Sequence, residues 1–571
     1  MNDLLDRLER SCQKRWFCVL AILVICFLSV VLPVILYGLH GSGDTFVYLA
    51  FGEDVRQAWA AGQIFPSWGS GGLSYGSVGI RFYPPVSFYT LAALVSLSGS
   101  WYFALLASNF LWMFVGCWGI FLFVRDRANG SWGVAAALVY AFIPFHLAEI
   151  YQFSLIGEFA AGAILPYCFL YSARLCERNE HRDIVGFSIA FGFLILTHIP
   201  STMIAALTIG LFILLLLQRP VLQTLIRFTV AGAISLAWTS FYWLKVVAEA
   251  NWVAHNTSRF ASNFTDYSKW LFPMSVFPDG TNDIYIPIYR NIDAMVTITA
   301  LLFLHAIVVL LLSPGLDRAD QRLIKWLRAM SISAVFGSFM LSSLSSFFWN
   351  GIPLLQKLQF PWRWLGIVSV IATAVFTVSL FSLVKQGSKS RKIAVAIGVA
   401  AAIIIGSYDV RQSFLRSNII TNLEIEQMLE VRNAPVGTTL EAWWPIWAKP
   451  EAFKSSQKIS SEREVLVKKH DPDHLEFVIG NGLPETIRVG TFYYPHWKAK
   501  INGIVQNIAS DENGAILINI GAEASNVELL FEEPQYVHFS TWLSMATVLF
   551  VLVLFVMSYR QNATSFSSFR Q

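Results

Sequence analysis

The sequence predicts a polytopic α-helical membrane protein with a small β domain near its C-terminal end. Hydrophobic residues make up 55% of the 571 residues and charged residues only 14%, and the mean hydropathy is +0.54. A soluble domain carries about a quarter charged residues. Because the apolar residues are gathered into runs as long as a bilayer is thick, the composition indicates many membrane spans.

The apolar runs set the expected number of spans at about twelve, because a spanning helix needs roughly 20 apolar residues. The run at 86–99 is shorter and is expected to form a helix at the membrane interface. The twelve predicted spans lie near 16–38, 101–124, 131–150, 159–177, 184–200, 201–217, 222–246, 293–313, 329–349, 363–384, 393–410 and 541–559.

Basic residues predict the orientation of these spans. Clusters of Arg and Lys precede the first span, follow the second and the fourth, and separate the eighth from the ninth and the tenth from the eleventh. With twelve spans all of these clusters fall on one face, which the positive-inside rule makes the cytoplasmic one. The opposite face then receives a large first outer loop, 39–100, and the polar segment 411–540.

The segment 411–540 is expected to form a separate extracytoplasmic β domain, between a membrane domain at 1–410 and a final helix with a cytoplasmic tail at 541–571. Apolar and polar residues alternate in "HLEFVIG", "TIRVGTFYY", "WKAKING" and "GAILINI", as in half-buried strands. Asn502-Gly503 favours a hairpin turn because both residues accept positive φ. These features predict a β-sandwich. The aromatic stretch "EAWWPIWAKP" fits either membrane anchoring or a sugar platform.

Several function classes are excluded by composition and motifs. The net charge of +4 is too small in so long a chain to indicate nucleic-acid binding. The six cysteines form no CxxC pair, which argues against disulfides and against a cysteine zinc site. The chain has no Walker loop and no GxGxxG fingerprint, so neither ATP nor a dinucleotide is indicated.

Polar residues beside apolar helices are the candidates for chemistry. Asp44 follows the first span in "GSGDT", where it fits a helix cap as well as a functional site. Glu158 lies between two apolar helices, where an unpaired charge is costly. His198 occupies a helix end and has the usual structural alternative. Arg363, in "QFPWRWL", fits either interfacial snorkelling or phosphate binding through its planar fork of donors.

Arg81 lies in the first outer loop, in "GSGGLSYGSVGIRFYPPVSFY" at 69–89. A flexible glycine-rich stretch here ends in a rigid Pro-Pro turn, which suits a binding crevice.

The motifs "GDTFVYLAFGEDVRQAWAAGQIFPSW", "YGSVGIRFYPP", "IYQFSLIGEFAAGAILP", "LTHIPS" and "QFPWRW" resemble bacterial membrane proteins labelled 6-pyruvoyl-tetrahydropterin synthase-related. The resemblance covers about residues 16–380. The many spans and the large first outer loop, with an Asp just after the first helix, are similar to the C-type glycosyltransferase fold. Such enzymes use polyprenyl-phosphate-linked sugars as donors, and their essential first-loop acid corresponds to Asp44.

The resemblance implies a membrane glycosyltransferase that moves a sugar from a polyprenyl-phosphate donor to an envelope acceptor, a glycan, lipid or protein. Its active site would lie on the extracytoplasmic face of the bacterial cytoplasmic (inner) membrane. Asp44 would act as base or orienter for the acceptor hydroxyl, and cations would hold the departing phosphate. The expected catalytic residues are Asp44, Glu158 and His198, and the expected donor-binding residues are Arg81, Arg363, Tyr83, Tyr151 and Gln359.

No metal or other cofactor is indicated, although the oligosaccharyltransferase branch of the same fold places acids and a metal in its loops. Glu53 and Asp54, which follow Asp44, are expected on a polar, solvated helix.

Two other classes stay open. A carrier for polyprenyl lipids or sugars would place charges near mid-membrane and often show two related halves, whereas this chain gathers its polar motifs on one face. A non-catalytic scaffold that binds glycan through the β domain is the third. The sugar, the acceptor and the lipid length are not specified by the sequence.

Overall fold

The computed structural model describes residues 14–72, 75–178, 180–256, 266–274, 286–311, 321–385, 418–432, 439–454 and 458–568. The predicted span at 393–410 lies outside these residues. The described helices are α1 Arg15–Cys26, α2 Leu32–Tyr37, α3 Thr45–Ala60, α4 Gly79–Phe82, α5 Pro85–Ser98, α6 Trp101–Arg125, α7 Gly130–Phe142, α8 Pro144–Tyr151, α9 Ile156–Glu177, α10 His181–Thr197, α11 Ile199–Leu216, α12 Val221–Trp238, α13 Ser240–Glu249, α14 Ile286–Leu311, α15 Gln321–Leu341, α16 Ser346–Gly351, α17 Pro353–Gln356, α18 Trp364–Lys385, α19 Asn422–Val431 and α20 Gln535–Ser568.

The helical part is that of a polytopic membrane protein. Within the described residues, eight helices are long and apolar enough to cross a bilayer, and the count is nine if the bent pair α7 and α8 forms one span. The first span consists of α1 and α2, joined by the π-helical turn Phe27–Val31. Two further predicted spans correspond to helices, α10 with 17 residues and α14 with 26. By length and composition the described residues support eight to nine of the twelve predicted spans. Helices α10 and α14 are not included in this count, and the predicted span at 393–410 lies outside the described residues.

Two helices form the centre of the bundle. The apolar windows of α9 and of Pro361–Ser382 are 83% and 94% buried, whereas those of α12 and α20 are each 17% buried. Helix α9 packs closely because its sequence "GEFAAGAIL" is rich in small residues, which let neighbouring helices approach. Its start and the start of α18 consequently lie inside protein, where a charged side chain needs a partner.

The two ends of the bundle differ in their charges. At one end, Arg174 and Arg178 pair with Asp126 at 2.9 and 3.1 Å, and Arg127 pairs with Glu177 at 2.9 Å. These pairs join the last turns of α6 and α9. The opposite end carries the end of the first span and the starts of α9, α11, α18 and α20, together with all the described strands.

The described strands form three antiparallel sheets. In β1 and β2, Leu39 pairs with Ile420, which connects the end of the first span to the segment before the β domain. The larger sheets have the orders β3-β6-β10-β9 and β4-β5-β11-β7-β8. The strands are β1 Leu39–His40, β2 Ile419–Ile420, β3 Ile459–Ser460, β4 Val465–Asp471, β5 His474–Ile479, β6 Glu485–Phe492, β7 Trp497–Ile501, β8 Ile504–Gln506, β9 Ala509–Ser510, β10 Ala515–Ile520 and β11 Ser525–Phe531.

The strand predictions are confirmed. Side chains alternate between buried and more exposed along β5, as the period-two pattern requires. The predicted turn at Asn502-Gly503 has φ values of +49° and +82° and joins β7 to β8. Apolar residues of both large sheets, including Phe477 and Ile518, belong to one buried cluster.

The first outer loop completes the core of the β domain. Trp68 and Tyr75 are buried in the same apolar cluster as the strands. The Trp68 ring lies 5.5 Å from that of Trp497, and the Tyr75 ring lies 5.1 Å from that of Phe492. The outer loop therefore fixes the β sheets over one end of the bundle.

Candidate functional site

Asp44 is held directly before α3, at its N-cap position, by the chain geometry that precedes it. Gly43 has a φ of +50°, and a Cβ at this position would lie 2.0 Å from the carbonyl oxygen of Phe153, so only glycine fits. Asp44 occupies the N-cap position, yet its side chain makes no capping hydrogen bond. Its carboxylate instead accepts a long hydrogen bond, 3.5 Å, from the Tyr83 hydroxyl. The side-chain helix-cap alternative is therefore not realised in this structure.

Two tyrosines connect Asp44 with the start of α9. Tyr48 lies one helical turn after Asp44, and its ring meets that of Tyr83 edge to face at 5.3 Å. A Cβ on Gly157 would lie 2.0 Å from the Tyr48 hydroxyl oxygen. The absence of a side chain at Gly157 thus lets Tyr48 reach the residue directly before Glu158.

Glu158 and Arg363 form an ion pair that leaves one carboxylate oxygen of Glu158 without a hydrogen-bond partner among the described residues. Arg363 Nε donates to Glu158 Oε2 at 3.3 Å, and the two side chains are 11% and 4% exposed. Arg363 Nη1 donates to the carbonyl of Leu358 at 2.6 Å. Within the described residues, Glu158 Oε1 has no hydrogen-bond partner. A cavity of about 10 Å³ adjoins this pair and Ser201, which is room for at most one water.

We use the term polar cluster for five neighbouring residues: Asp44, Tyr48, Tyr83, Glu158 and Arg363. Burial raises the pKa of Asp44 above its ordinary value, while the positive charge of Arg363 and the hydrogen bond from Tyr83 act in the opposite direction. Burial and the neighbouring Asp44 carboxylate raise the pKa of Tyr83 well above its usual value. Tyr83 therefore stays protonated and can donate. The cluster combines two carboxylates, one arginine and two phenols at one end of the bundle.

His198 lies at the edge of the cluster in a structural position. Its Nδ1 atom caps α11 by accepting from the backbone N–H of Ser201 at 3.4 Å, and it lies 2.8 Å from the Ser201 hydroxyl. The structural alternative for His198 thus has direct geometric support.

Tyr151 and Gln359, both predicted to bind donor, are not members of the polar cluster. The Tyr151 hydroxyl donates to the carbonyl of Ser29 at 2.6 Å, inside the first span. Gln359 adopts a φ of +64° in the turn that leads to Arg363. Their positions indicate helix packing for Tyr151 and backbone geometry for Gln359.

Arg81 requires a correction, because the structure places it in a saturated ion network. Its guanidinium donates to both oxygens of Glu249 at 2.6 Å and to both oxygens of Glu533 at 2.5 and 2.8 Å. The side chain is fully buried. Four of its five N–H donors are used, so the guanidinium does not present the open fork that phosphate binding requires. Arg81 instead joins the outer loop to α13 and to the segment before α20.

The expectation of a solvated helix at Glu53 and Asp54 is also wrong. Glu53 is 8% exposed and Asp54 is 6% exposed. Arg56 donates to both oxygens of Glu53 at 2.6 Å, and Arg432 donates to Asp54 at 3.0 Å. Long-range packing of α19 on α3 buries this face. In the part of the chain that the structure describes, no group of three His, Cys, Asp or Glu side chains is arranged as a metal site.

Sequence reasoning missed two residues near the cluster. Tyr48 could have been found from its spacing, because residues four apart share a helix face and Asp44 precedes it by four. Glu149 is 1% exposed, and neither of its carboxylate oxygens has a partner within the described residues. Glu149 could have been found as the single acidic residue of the apolar stretch "PFHLAEIY", where a charge is energetically costly.

Apolar spans, a buried helical centre and a polar cluster at one end define a polytopic helical membrane protein. The family model of the 6-pyruvoyl-tetrahydropterin synthase related domain, described as a membrane protein, matches residues 80–413. This match covers more than half of the chain, and the chain belongs to that family. A search of the curated proteins gave no match.

The fold is similar to those of solved glycosyltransferases. Arabinofuranosyltransferase AftD from Mycobacteria matches with a TM-score of 0.44 and 18% identity, over 71% of this chain and 27% of that one. The oligosaccharyltransferase AglB from Archaeoglobus fulgidus matches with a TM-score of 0.43 and 12% identity, over 75% and 61%. ArnT from Cupriavidus metallidurans matches with a TM-score of 0.37 and 13% identity, over 74% and 76%. At these TM-scores no residue role is transferred, and this chain spans only part of AftD and AglB.

Proposed function

We propose that this protein is a membrane glycosyltransferase that moves a sugar from a polyprenyl-phosphate-linked donor to an envelope acceptor on the outer side of the membrane. The observation that carries this proposal is the polar cluster. Asp44, Glu158 and Arg363 are far apart in sequence, yet Arg363 pairs with Glu158 and its charge acts on Asp44. One proton-accepting group and one cation thus lie together at one end of an apolar bundle.

The reaction needs these two kinds of group. The acceptor hydroxyl oxygen forms a bond to the anomeric carbon of the sugar, and the bond from that carbon to the phosphate oxygen breaks. The lipid phosphate leaves with the bonding electron pair, and the acceptor proton passes to the Asp44 carboxylate. A base of raised pKa accepts a proton more readily, and partial burial of Asp44 raises its pKa.

Arg363 suits the departing phosphate. Charge develops on the leaving oxygen in the transition state, and donors fixed beforehand stabilise it without reorganisation. In the described part of the chain, Arg363 uses Nε and Nη1 on Glu158 and Leu358. Its Nη2 group makes no hydrogen bond to these residues, so donors are left for an anion. Glu158 fixes the guanidinium in place and, through Oε1, offers a further acceptor to a sugar hydroxyl.

The side of the membrane is proposed from the two ends of the bundle. Arg127, Arg174 and Arg178 gather at the end opposite the polar cluster, and basic residues favour the cytoplasmic side. The polar cluster and the β sheets would then face outward, where a lipid-linked donor supplies the sugar. Since the adjoining cavity holds at most one water, donor binding requires the surrounding segments to move apart.

The test is a comparison of cell envelopes with and without the gene. Mass spectrometry should show one sugar linkage missing from the envelope glycans of the deletion strain and the lipid-linked donor accumulating. Expression of the wild-type protein should restore both. A missing linkage with lipid-linked sugars accumulating on the cytoplasmic side only would instead indicate transport of the lipid, and an unchanged glycan profile would contradict both functions.

A further inference from the structure

A second polar cavity lies between the first outer loop and the β sheets. Its volume is about 250 Å³, and it is lined by residues of α3, the outer loop, the β4–β5 hairpin and β7. The hairpin is attached to the outer loop, because Gln63 donates to Asp473 at 2.7 Å. This cavity is separate from the polar cluster and is not used by the proposed transfer step.

Two buried donors at this cavity have no acceptor within the described residues. The indole N–H of Trp497 is one, on a side chain that is 2% exposed, and Nε of Arg432, on a side chain that is 5% exposed, is the other. Both residues line the cavity. A buried donor without an acceptor is destabilising, because it has lost its hydrogen bond to water. Both atoms are closed to solvent in this structure, so an oxygen-rich ligand would pair with them only after a small shift of the cavity lining.

The charges favour a neutral ligand over an anion. Arg432 is already paired with Asp54 at 3.0 Å, and its Nη2 donates to Ser70 at 3.2 Å. Asp471 adds a carboxylate to the lining and is paired with Lys469 at 3.0 Å. His470 also lines the cavity, and its Nδ1 atom lies 2.8 Å from the Lys458 ammonium. Among the lining residues the permanently charged cation is therefore Arg432, which is already paired.

The remaining residues that line the cavity combine hydrogen-bonding groups with apolar surface, as a binding site for a sugar ring requires. Ser70 and Thr491 contribute hydroxyls, and Gln57 contributes an amide. Trp497 and Leu475 supply apolar surface. A sugar has apolar ring faces and an edge of hydroxyls that both donate and accept, so this mixture complements it. We infer that the cavity binds a neutral sugar unit of a glycan chain.

The position relative to Asp44 suggests which glycan this is. Gln57 lies on the same helix as Asp44, thirteen positions later, which is about 20 Å along the axis. A glycan with one unit in the cavity and its end at Asp44 would have to be several units long. This assignment, which rests on the proposed function, makes the substrate an acceptor glycan chain in preference to a single small acceptor.

The experiment uses the full-length protein in lipid nanodiscs and an array of neutral and acidic oligosaccharides, with inorganic phosphate as a competitor. The wild type should bind neutral oligosaccharides, and phosphate should not displace them. Trp497→Phe keeps an aromatic ring and removes the N–H, whereas Asp471→Asn changes a residue at the cavity edge with little risk to folding. Each should weaken binding at least tenfold. Leu483→Ser, on an exposed turn where Leu483 is 84% exposed, is the matched control and should bind like wild type.

The outcomes separate this inference from the proposed function. Cavity-dependent binding without any sugar transfer would support the glycan site and remove the proposed function. Transfer activity with oligosaccharide binding that neither cavity variant changes would overturn the glycan site and leave the proposed function. Displacement of the bound glycan by phosphate would also overturn it.

Discussion

Arg81 and Arg363 are two largely buried arginines that each pair with glutamate at the end of the bundle that carries the β sheets, but their surroundings differ. Arg81 makes four hydrogen bonds to Glu249 and Glu533. Glu249 also accepts from the hydroxyls of Tyr494 and Tyr536. This network lowers the pKa of Glu249 well below its ordinary value, because the hydrogen bonds and the Arg81 charge outweigh burial. Every charged group in it has partners within the protein.

The pair of Arg363 and Glu158 is less complete. It has one hydrogen bond of 3.3 Å, and Oε1 of Glu158 is left without a partner among the described residues. A saturated buried network resists change in its geometry, since removing one member strands the others. An unsaturated one keeps donors and acceptors for a ligand. We therefore expect Arg81 to contribute mainly to stability and Arg363 mainly to the proposed chemistry.

The largest expected effect on stability is at Arg81. Replacing Arg81 with Met leaves the buried Glu249 without its bidentate partner, and breaking such a pair costs about 3–5 kcal/mol. Thermal unfolding of the purified protein should show a large drop in midpoint. Arg56→Met is the matched control, because Arg56 is 39% exposed in its pair with Glu53 and an exposed pair contributes at most about 1 kcal/mol. Equal thermal unfolding midpoints for the two variants would contradict the larger contribution of Arg81 to stability.

Substitution of Arg363 should affect the rate of sugar transfer more than the stability of the protein. Arg363→Gln removes a fixed donor to the leaving phosphate, and loss of such a donor lowers rate about 10²–10³-fold. Arg363→Lys keeps the charge without the planar fork and should recover part of the rate. The double variant Arg363→Gln/Glu158→Gln, which strands no buried carboxylate, serves as the folding control. Wild-type transfer by Arg363→Gln would show that this arginine only holds the helix start.

A smaller effect is expected in the pH dependence of Tyr83→Phe. The hydrogen bond from Tyr83 lowers the pKa of Asp44, so its removal raises that pKa. A base that must be ionised loses activity as the pH falls through its pKa, and the acid limb of kcat/KM should therefore move to higher pH. Tyr48→Phe, which removes no hydrogen bond to Asp44, is the control. A shift to lower pH in Tyr83→Phe would contradict the assignment of Asp44 as base.

The smallest effect is expected at His198. Its ring caps α11 through Ser201, and loss of a cap costs about 0.5–2 kcal/mol. His198→Asn should restore the cap and with it most of the stability lost in His198→Ala, and both should transfer sugar within a few-fold of wild type. A loss of transfer in both variants at unchanged thermal midpoint would return His198 to the catalytic residues.

The sequence predicts the local features of this molecule well. The alternation in "HLEFVIG" predicts β5, because successive side chains of a strand point to opposite faces of the sheet and the apolar ones are buried. Asp44, Glu158 and Arg363 could be grouped because each lies at a helix end that faces the same side. The fate of Arg81 could not be predicted, since its partners Glu249 and Glu533 are 168 and 452 residues away. Packing of α19 on α3 also buries Glu53 and Asp54, although the sequence predicts that their helix is solvated.

The most direct measurement is the rate of sugar transfer by Asp44→Asn, with the donor and acceptor identified from the envelope comparison. Asparagine keeps the size of the side chain and removes the charge that accepts the proton. We expect a loss of about 10²–10⁴-fold in rate at an unchanged thermal midpoint and unchanged donor binding. Transfer at the wild-type rate by Asp44→Asn would contradict the proposed function of the polar cluster, because Asp44 would then not be the catalytic base.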